Sequence, residues 1–251
     1  MKFLTAIPVY NEERHLHEVL REVHRYSPGI LVINDGSTDK TGQLLAKEPG
    51  VTVITHGTNR GYGAAINSAF DYVQRHNYDV LVTMDCDGQH EPSRIPVLLE
   101  AIHDADIVSG SRYLRDFRQA SLPTPEDRRF INQTITAELN EKLGLSLTDA
   151  FCGFKAYRTE ALARLCITER GWGMPLQLWV QAARAGLRIK EIGVPRVYLD
   201  PNRAFGGVLN DADQRLAYYR KVVDDAIVRT ADPGHYDFEC FGAFLPPRSC
   251  G

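Results

Sequence analysis

The sequence predicts an α/β protein built on a doubly wound, mainly parallel, mixed sheet with helices on both faces. Three observations carry that expectation. Short apolar runs alternate with helical patterns over the first ~110 residues, as in successive βαβ units. The runs are apolar at nearly every position, as in strands buried on both faces. A polar segment follows each of them: YNE, NDGSTD, TNRGYG, DCDGQH and SRY. Ligands bind such sheets at the carboxyl ends of the strands, so these five segments are expected on one edge.

The elements follow in order. FLTAIPV (3–9) reads as a first strand, after which Asn11 is expected to cap a helix with Leu16, Val19, Leu20 and Val23 on one face. ILVIN (30–34), VTVIT (51–55), VLVTM (80–84) and DIVSG (106–110) are the next four strands. AAINSAFDYVQ and PSRIPVLLEAIH are the helices between them, the second with Pro92 in its first turn. Past residue 112 the pattern changes, and LRDFRQASLPTPEDRR reads as a polar, proline-bearing loop. FINQTITAELNEKLG is a helix stopping near Gly144, FKAY (154–157) a strand, TEALARL and PLQLWVQAARAG helices, and LRIKEIGVPRVYL a strand broken at Pro195. Residues 211–229 form an amphipathic helix with Leu216, Tyr219, Val222, Val223, Ala226 and Ile227 on one face.

Composition narrows the class. The chain has 251 residues, 43% hydrophobic and 24% charged, with a net charge of −3, which fits an ordinary globular protein and gives no sign of nucleic-acid binding. No apolar run approaches the ~20 residues needed to span a membrane. Five cysteines without metal-type spacing, odd in number and with no signal peptide, favour a reducing cytoplasm.

The chemistry gathers at VLVTMDCDGQH (80–90). Asp85 and Asp87 end a buried strand one residue apart. In extended chain they would point the same way, and two carboxylates aimed together repel unless a cation lies between them. Hard oxygen donors suit Mg²⁺ or Mn²⁺; Gln89 shares their parity and could add a carbonyl oxygen, whereas Cys86 should point into the core. A solvated turn with helix-capping acids is the bland alternative. The convergence of four other polar loops favours the metal.

PVYNE (8–12), NDGSTD (34–39), NRGYGAA (59–65), DCDGQH (85–90), GSRY (110–113) and DAFCGFKAYR (149–158) occur in order. The set resembles the family 2 glycosyltransferases of GT-A fold, in the branch similar to dolichyl-phosphate mannose and polyprenyl-phosphate glucose synthases, over roughly residues 1–200. The resemblance implies transfer of a sugar, with inversion, from a nucleotide-sugar donor to a phosphate or hydroxyl acceptor. It implies nucleotide-sugar contacts at Pro8, Tyr10, Glu12, Asp35, Gly61 and Asp85, with Glu12 on the ribose and Asp35 reading the base. Asn34 stands where the family usually has a first aspartate. Metal ligation falls to Asp85, Asp87 and Gln89. Arg112, Arg128 and Asn132 sit where an acceptor phosphate is held, with Asn132 in place of an expected serine, and Arg203 could close over the diphosphate. Asp87, Asp149 and Arg112 are the expected catalytic residues.

The acceptor divides the readings. A sugar hydroxyl needs a general base, and Asp149 is the candidate, since Gln177 stands where related sequences often carry glutamate. A phosphate monoester is already anionic, with a second pKa of about 6, and needs none. The leading expectation is a metal-dependent inverting transferase moving a hexose from a GDP-mannose or UDP-glucose type donor to a polyprenyl or dolichyl phosphate. It would be cytoplasmic, with peripheral contact at the inner membrane face through residues 211–229 or the basic 112–129 segment. A soluble hydroxyl acceptor is the alternative; a sugar nucleotidyltransferase or a non-catalytic nucleotide-binding module ranks lower. The expected organisation is one GT-A-like domain over 1–210, with a nucleotide-sugar half (1–115) and an acceptor half (116–210), then a C-terminal helix and tail (211–251).

Overall fold

The structure, a computed structural model, describes residues 1–114, 125–197 and 205–231. Arg203, residues 115–119 and the last twenty residues lie outside these.

Seven strands form one sheet: β1 Phe3–Val9, β2 Ile30–Asn34, β3 Val51–Thr55, β4 Val80–Thr83, β5 Ile107–Ser111, β6 Lys155–Arg158 and β7 Ile189–Gly193. Their order is β3-β2-β1-β4-β6-β5-β7. All pairs are parallel except those of β6, which runs antiparallel between β4 and β5. The sheet is therefore mixed, as expected, and the chain reverses its direction of growth between β1 and β4. A crevice opens at such a switch point, at the carboxyl ends of the strands.

The helices are α1 Leu16–Val23, α2 Thr41–Leu45, α3 Tyr62–Arg75, α4 Ile95–Ala101, α5 Glu126–Leu143, α6 Thr159–Leu162, α7 Met174–Arg184 and α8 Ala212–Ala231. They cover both faces. One buried cluster joins α3, α5, α7 and α8 to Leu4, Leu31 and Leu81. The other joins α1 and α4 to Ile7, Val32, Val80 and Val82. Successive β4 residues alternate between the clusters because strand side chains alternate in direction. β3 is the exception to the buried-run reading: it is an edge strand, with Val53 exposed.

Two expectations need correction. Asn11 does not cap α1, whose N-cap is His15 with no side-chain bond. Asn11 adopts φ +57°, and its Oδ1 accepts the Thr38 N–H at 2.8 Å, so it sews the first loop to the second. The amphipathic face of α8 is not available to a membrane. Tyr219, Val222, Val223 and Ala226 are buried in the core with α5 and α7, and each buried valine contributes about 1.5–3 kcal/mol there. Cys86 and Cys152 are free and buried.

Candidate active site

A cavity of about 1400 Å³ opens at the carboxyl edge of β1, β2, β4 and β5. Every site residue expected from the sequence and lying in the described portion lines it, except Asp149.

One end of the cavity is built from cross-linked loops. The Glu12 N–H donates to Thr41 Oγ1 at 2.9 Å, and the Asn11 N–H to Ser37 Oγ at 3.0 Å. Asn34 Oδ1 accepts the Ser37 N–H at 3.1 Å. That Asx turn needs only a carbonyl oxygen, so asparagine serves as well as aspartate. Asp35 is buried and heavily engaged. Its Oδ1 accepts from His56 Nδ1 at 2.6 Å and the Arg60 N–H at 2.9 Å, and its Oδ2 accepts the Gly61 N–H at 2.8 Å. A carboxylate offers about four acceptor positions, so Asp35 pins the NRGYG loop and keeps little capacity beyond that.

The glycines of that loop have a mechanical reason. Gly61 has φ +98°, and a Cβ there would lie 2.4 Å from the Arg170 carbonyl oxygen. A Cβ on Gly63 would lie 2.2 Å from the Glu169 carbonyl oxygen. The loop at 168–173 thus docks directly on the start of α3.

The acidic turn departs from strand geometry. β4 ends at Thr83, and residues 86–88 bend with Gly88 at φ +73°. Asp85 and Asp87 reach one cavity through this turn and not through strand parity. Asp87 Oδ1 accepts the Gln89 N–H at 3.0 Å, and the Asp85 N–H donates to His90 Nδ1 at 3.0 Å. His90 stacks on Phe154 at 5.3 Å and acts as a staple across the turn. Cys86 is buried, as expected. The Asp85 carboxylate rests against Gly153, where a Cβ would approach Oδ2 to 2.6 Å; the glycine of CGF makes room for it.

The donor set suits a hard divalent ion. Among the described residues no group of three or more His, Cys, Asp or Glu could hold a metal. Two carboxylates with the Gln89 amide make an incomplete oxygen shell, of the kind that leaves positions for phosphate oxygens on Mg²⁺ or Mn²⁺.

Asp149 lies outside this set. It is fully buried, and its Oδ2 accepts Arg112 Nε–H at 2.7 Å while Oδ1 accepts Arg112 Nη2–H at 2.9 Å. Asn132 Nδ2–H at 2.8 Å, the Phe151 N–H at 3.1 Å and the Arg112 N–H at 3.2 Å complete its shell. Burial alone would raise its pKa. The Arg112 charge and the hydrogen bonds from Arg112 and Asn132 outweigh that and pull it down to about 2. A carboxylate so held takes up no proton near neutral pH, which counts against a base role. What it does is fix Arg112 and Asn132.

Glu191 braces the same turn, accepting from Thr148 Oγ1–H at 2.8 Å and the Asp149 N–H at 3.1 Å. Gln177 also faces away from the chemistry: its Oε1 accepts the Thr168 and Glu169 N–H groups at 2.9 and 2.7 Å.

A family model described as glycosyl transferase family 2 matches residues 5–166. The chain belongs to glycosyl transferase family 2. It is 35% identical over 223 residues to an undecaprenyl-phosphate mannosyltransferase of Micrococcus luteus, covering 84% of this chain and 91% of that one. It is 33% identical over 202 residues to a polyprenol monophosphomannose synthase of Mycolicibacterium smegmatis, covering 76% of each. Among solved structures, glucosyl-3-phosphoglycerate synthase of Mycobacterium tuberculosis with Mn²⁺, UDP and its product superposes with a TM-score of 0.68. It is 20% identical and covers 92% of this chain and 81% of that one. At that identity the likeness establishes the GT-A fold alone.

This glycosyltransferase's cavity is also lined by aromatic and basic side chains. Tyr62 stacks on Trp172 at 5.3 Å and 16°. Trp172 Nε1–H donates to the Phe205 carbonyl oxygen at 3.1 Å. Arg128 and Arg215 both lie over the Phe205 ring, at 4.8 and 4.6 Å. Arg215 is buried, donating to Asp127 Oδ2 at 2.5 Å and to the Leu209 carbonyl oxygen at 2.8 Å. Nothing marked Arg215 beforehand, because its helix read as an appendage; in the fold it brings Arg215 and Tyr219 into the cavity wall.

Proposed function

We propose that the chain is a metal-dependent inverting glycosyltransferase that moves a hexose from a nucleotide-sugar, of GDP-mannose or UDP-glucose type, to a polyprenyl phosphate. The observation that carries this reading is the saturated Asp149. The carboxylate best placed to serve as a base for a hydroxyl acceptor is instead tied to Arg112 and Asn132. Those two groups, with Arg128, make an anion-binding end of the cavity. An acceptor phosphate brings its own negative oxygen and needs no proton removed. The wall beyond, of Ile131, Phe151, Trp172, Phe205 and Tyr219, suits an isoprenoid chain. The names of the two bacterial relatives support the same acceptor class.

On this reading residues 1–115, Arg112 apart, bind the donor and 116–210 the acceptor, with α8 completing the wall. Pro8, Tyr10 and Glu12 hold the nucleoside, while Asp35 and Gly61 fix the NRGYG loop beside it. Asp85, Asp87 and Gln89 would hold Mg²⁺ or Mn²⁺. Once bound, the ion offsets the charge developing on the departing diphosphate. Arg112 and Arg128 orient the acceptor phosphate so that one oxygen attacks the anomeric carbon opposite the leaving group, which inverts the configuration. Arg203 serves the diphosphate. Among the described residues no helix is long and apolar enough to cross a membrane. Contact with the inner membrane face falls instead to the start of α5, where Phe130 is 60% exposed beside Arg129.

A thermal-shift panel of nucleotide sugars with and without Mn²⁺ tests the first step, since a ligand bound only to the native state raises the melting temperature by mass action. A metal-dependent rise with one donor is expected. No metal-dependent shift with any donor would remove the proposal at its base.

A further inference from the structure

We propose that Tyr218 of α8 is a positioning residue: its hydroxyl fixes the 171–173 turn and so holds the Trp172 indole in the wall at the acceptor end of the cavity. The inference rests on the acceptor reading above and adds a residue to it.

Trp172 is the one side chain of its turn, since Gly171 and Gly173 flank it. It lines the cavity. Its ring stacks on Tyr62 and meets Phe205 edge-on at 5.8 Å and 89°. A turn flanked by two glycines has little backbone restraint of its own, so the restraint must come from neighbours. The residues before it are held by the Ala64 N–H, which donates to the Arg170 carbonyl oxygen at 3.2 Å, and by Gln177. The Gly171 and Gly173 carbonyl oxygens accept from the first turn of α7, from the Met174 N–H at 3.3 Å and the Leu176 N–H at 2.9 Å.

The N–H groups of the two glycines go elsewhere. The Gly173 N–H donates to the Tyr218 hydroxyl oxygen at 3.1 Å. The Gly171 N–H donates to Glu169 Oε1 at 2.7 Å, and the Tyr218 hydroxyl donates to that same oxygen at 2.7 Å. Three hydrogen bonds thus bracket the Trp172 backbone from both sides, and the Tyr218 hydroxyl makes two of them. The approach is close: a Cβ on Gly171 or Gly173 would lie 2.9 or 3.0 Å from that hydroxyl. The Tyr218 ring is itself packed on Tyr219, with centroids 5.3 Å apart, and Tyr219 is buried in the cavity wall. Phenylalanine at 218 would keep the ring contacts and lose only the two bonds. The turn could then shift, and the indole with it.

The test compares the full wild-type chain with Tyr218→Phe and with Glu169→Ala, which removes the shared acceptor; circular dichroism checks the fold. The chain has two tryptophans, and Trp179 is fully buried, so acrylamide quenching of the emission reports on Trp172. Both variants are expected to raise the quenching constant and shift the emission to the red. Their KM for a polyprenyl phosphate should rise about tenfold, the order carried by a hydrogen bond to a charged group. Affinity for GDP or UDP with Mn²⁺, measured by calorimetry, should stay at its wild-type value. A bond that served stability alone would lower the melting temperature and leave quenching and KM in place. Wild-type quenching or a wild-type KM in either folded variant would overturn the proposal, as would an equal loss of nucleotide affinity. A wild type that transfers to no polyprenyl phosphate would overturn the acceptor reading, with the quenching comparison still deciding whether Tyr218 holds Trp172.

Discussion

Asp85 and Asp149 are both aspartates that follow or precede a short turn at the same sheet edge, and their surroundings are opposite. Asp85 has a side chain 30% exposed, in the cavity wall, over a glycine. Asp149 is fully buried, under five donors. The first is left with acceptor capacity facing a ligand; the second has used its capacity on its own chain. The difference shows that an acid in a motif is a reactive group only if the fold leaves its lone pairs unfilled.

The largest effect should come from the filled carboxylate. Asp149→Asn leaves the Arg112 guanidinium without its counter-charge in a site only 19% exposed. Breaking one partner of such a pair costs about 3–5 kcal/mol, readable in urea melts. The pH dependence has a definite sign. The native pKa of about 2 lies below the ordinary 3.8, so the ionised form stabilises the native state above pH 4. That stabilisation should fade as the pH falls from about 4 toward 2, and the gap between wild type and variant should shrink in that window.

Gly153→Ala probes the other acid. A Cβ 2.6 Å from Asp85 Oδ2 must displace the carboxylate, and metal-dependent donor binding should fall by at least about tenfold, while overpacking of this kind destabilises by roughly 1–3 kcal/mol. Calorimetry with Mn²⁺ and nucleotide checks the first and thermal melts the second. Arg112→Lys keeps the charge but loses the planar fork. Turnover should drop more than donor affinity, because the loss is on the acceptor side; equal losses in both would contradict the division of the cavity. Gln177→Ala is the smallest: it frees the Thr168 and Glu169 N–H groups and should cost about 1–2 kcal/mol of stability, with donor affinity unchanged.

Much of this was legible in the sequence. The five strands of the first half and the gathering of their polar loops follow from apolar periodicity, which needs only local pattern. The antiparallel insertion of β6 between β4 and β5 did not, since strand order is fixed by pairing between residues as far apart as Thr83 and Lys155. The motifs brought Glu12, Asp85, Asp87 and Arg112 to one cavity. They could not say that Asp149 would be neutralised by Arg112, thirty-seven residues before it, or that α8 would add Arg215 to the wall. Gly61 and Gly63 make room for the backbone of residues 169–170, a long-range contact that local pattern does not show.

The most direct test of the account is transfer itself. Labelled nucleotide sugar, Mn²⁺ and either a polyprenyl phosphate or the matching polyprenol should be incubated with wild type and with Asp149→Asn under conditions where both are folded. The account predicts transfer to the phosphate and not to the alcohol, with a wild-type pH profile showing no basic group of the enzyme. Efficient transfer to the alcohol that vanishes in Asp149→Asn, with donor binding intact, would make Asp149 a base and contradict the central claim.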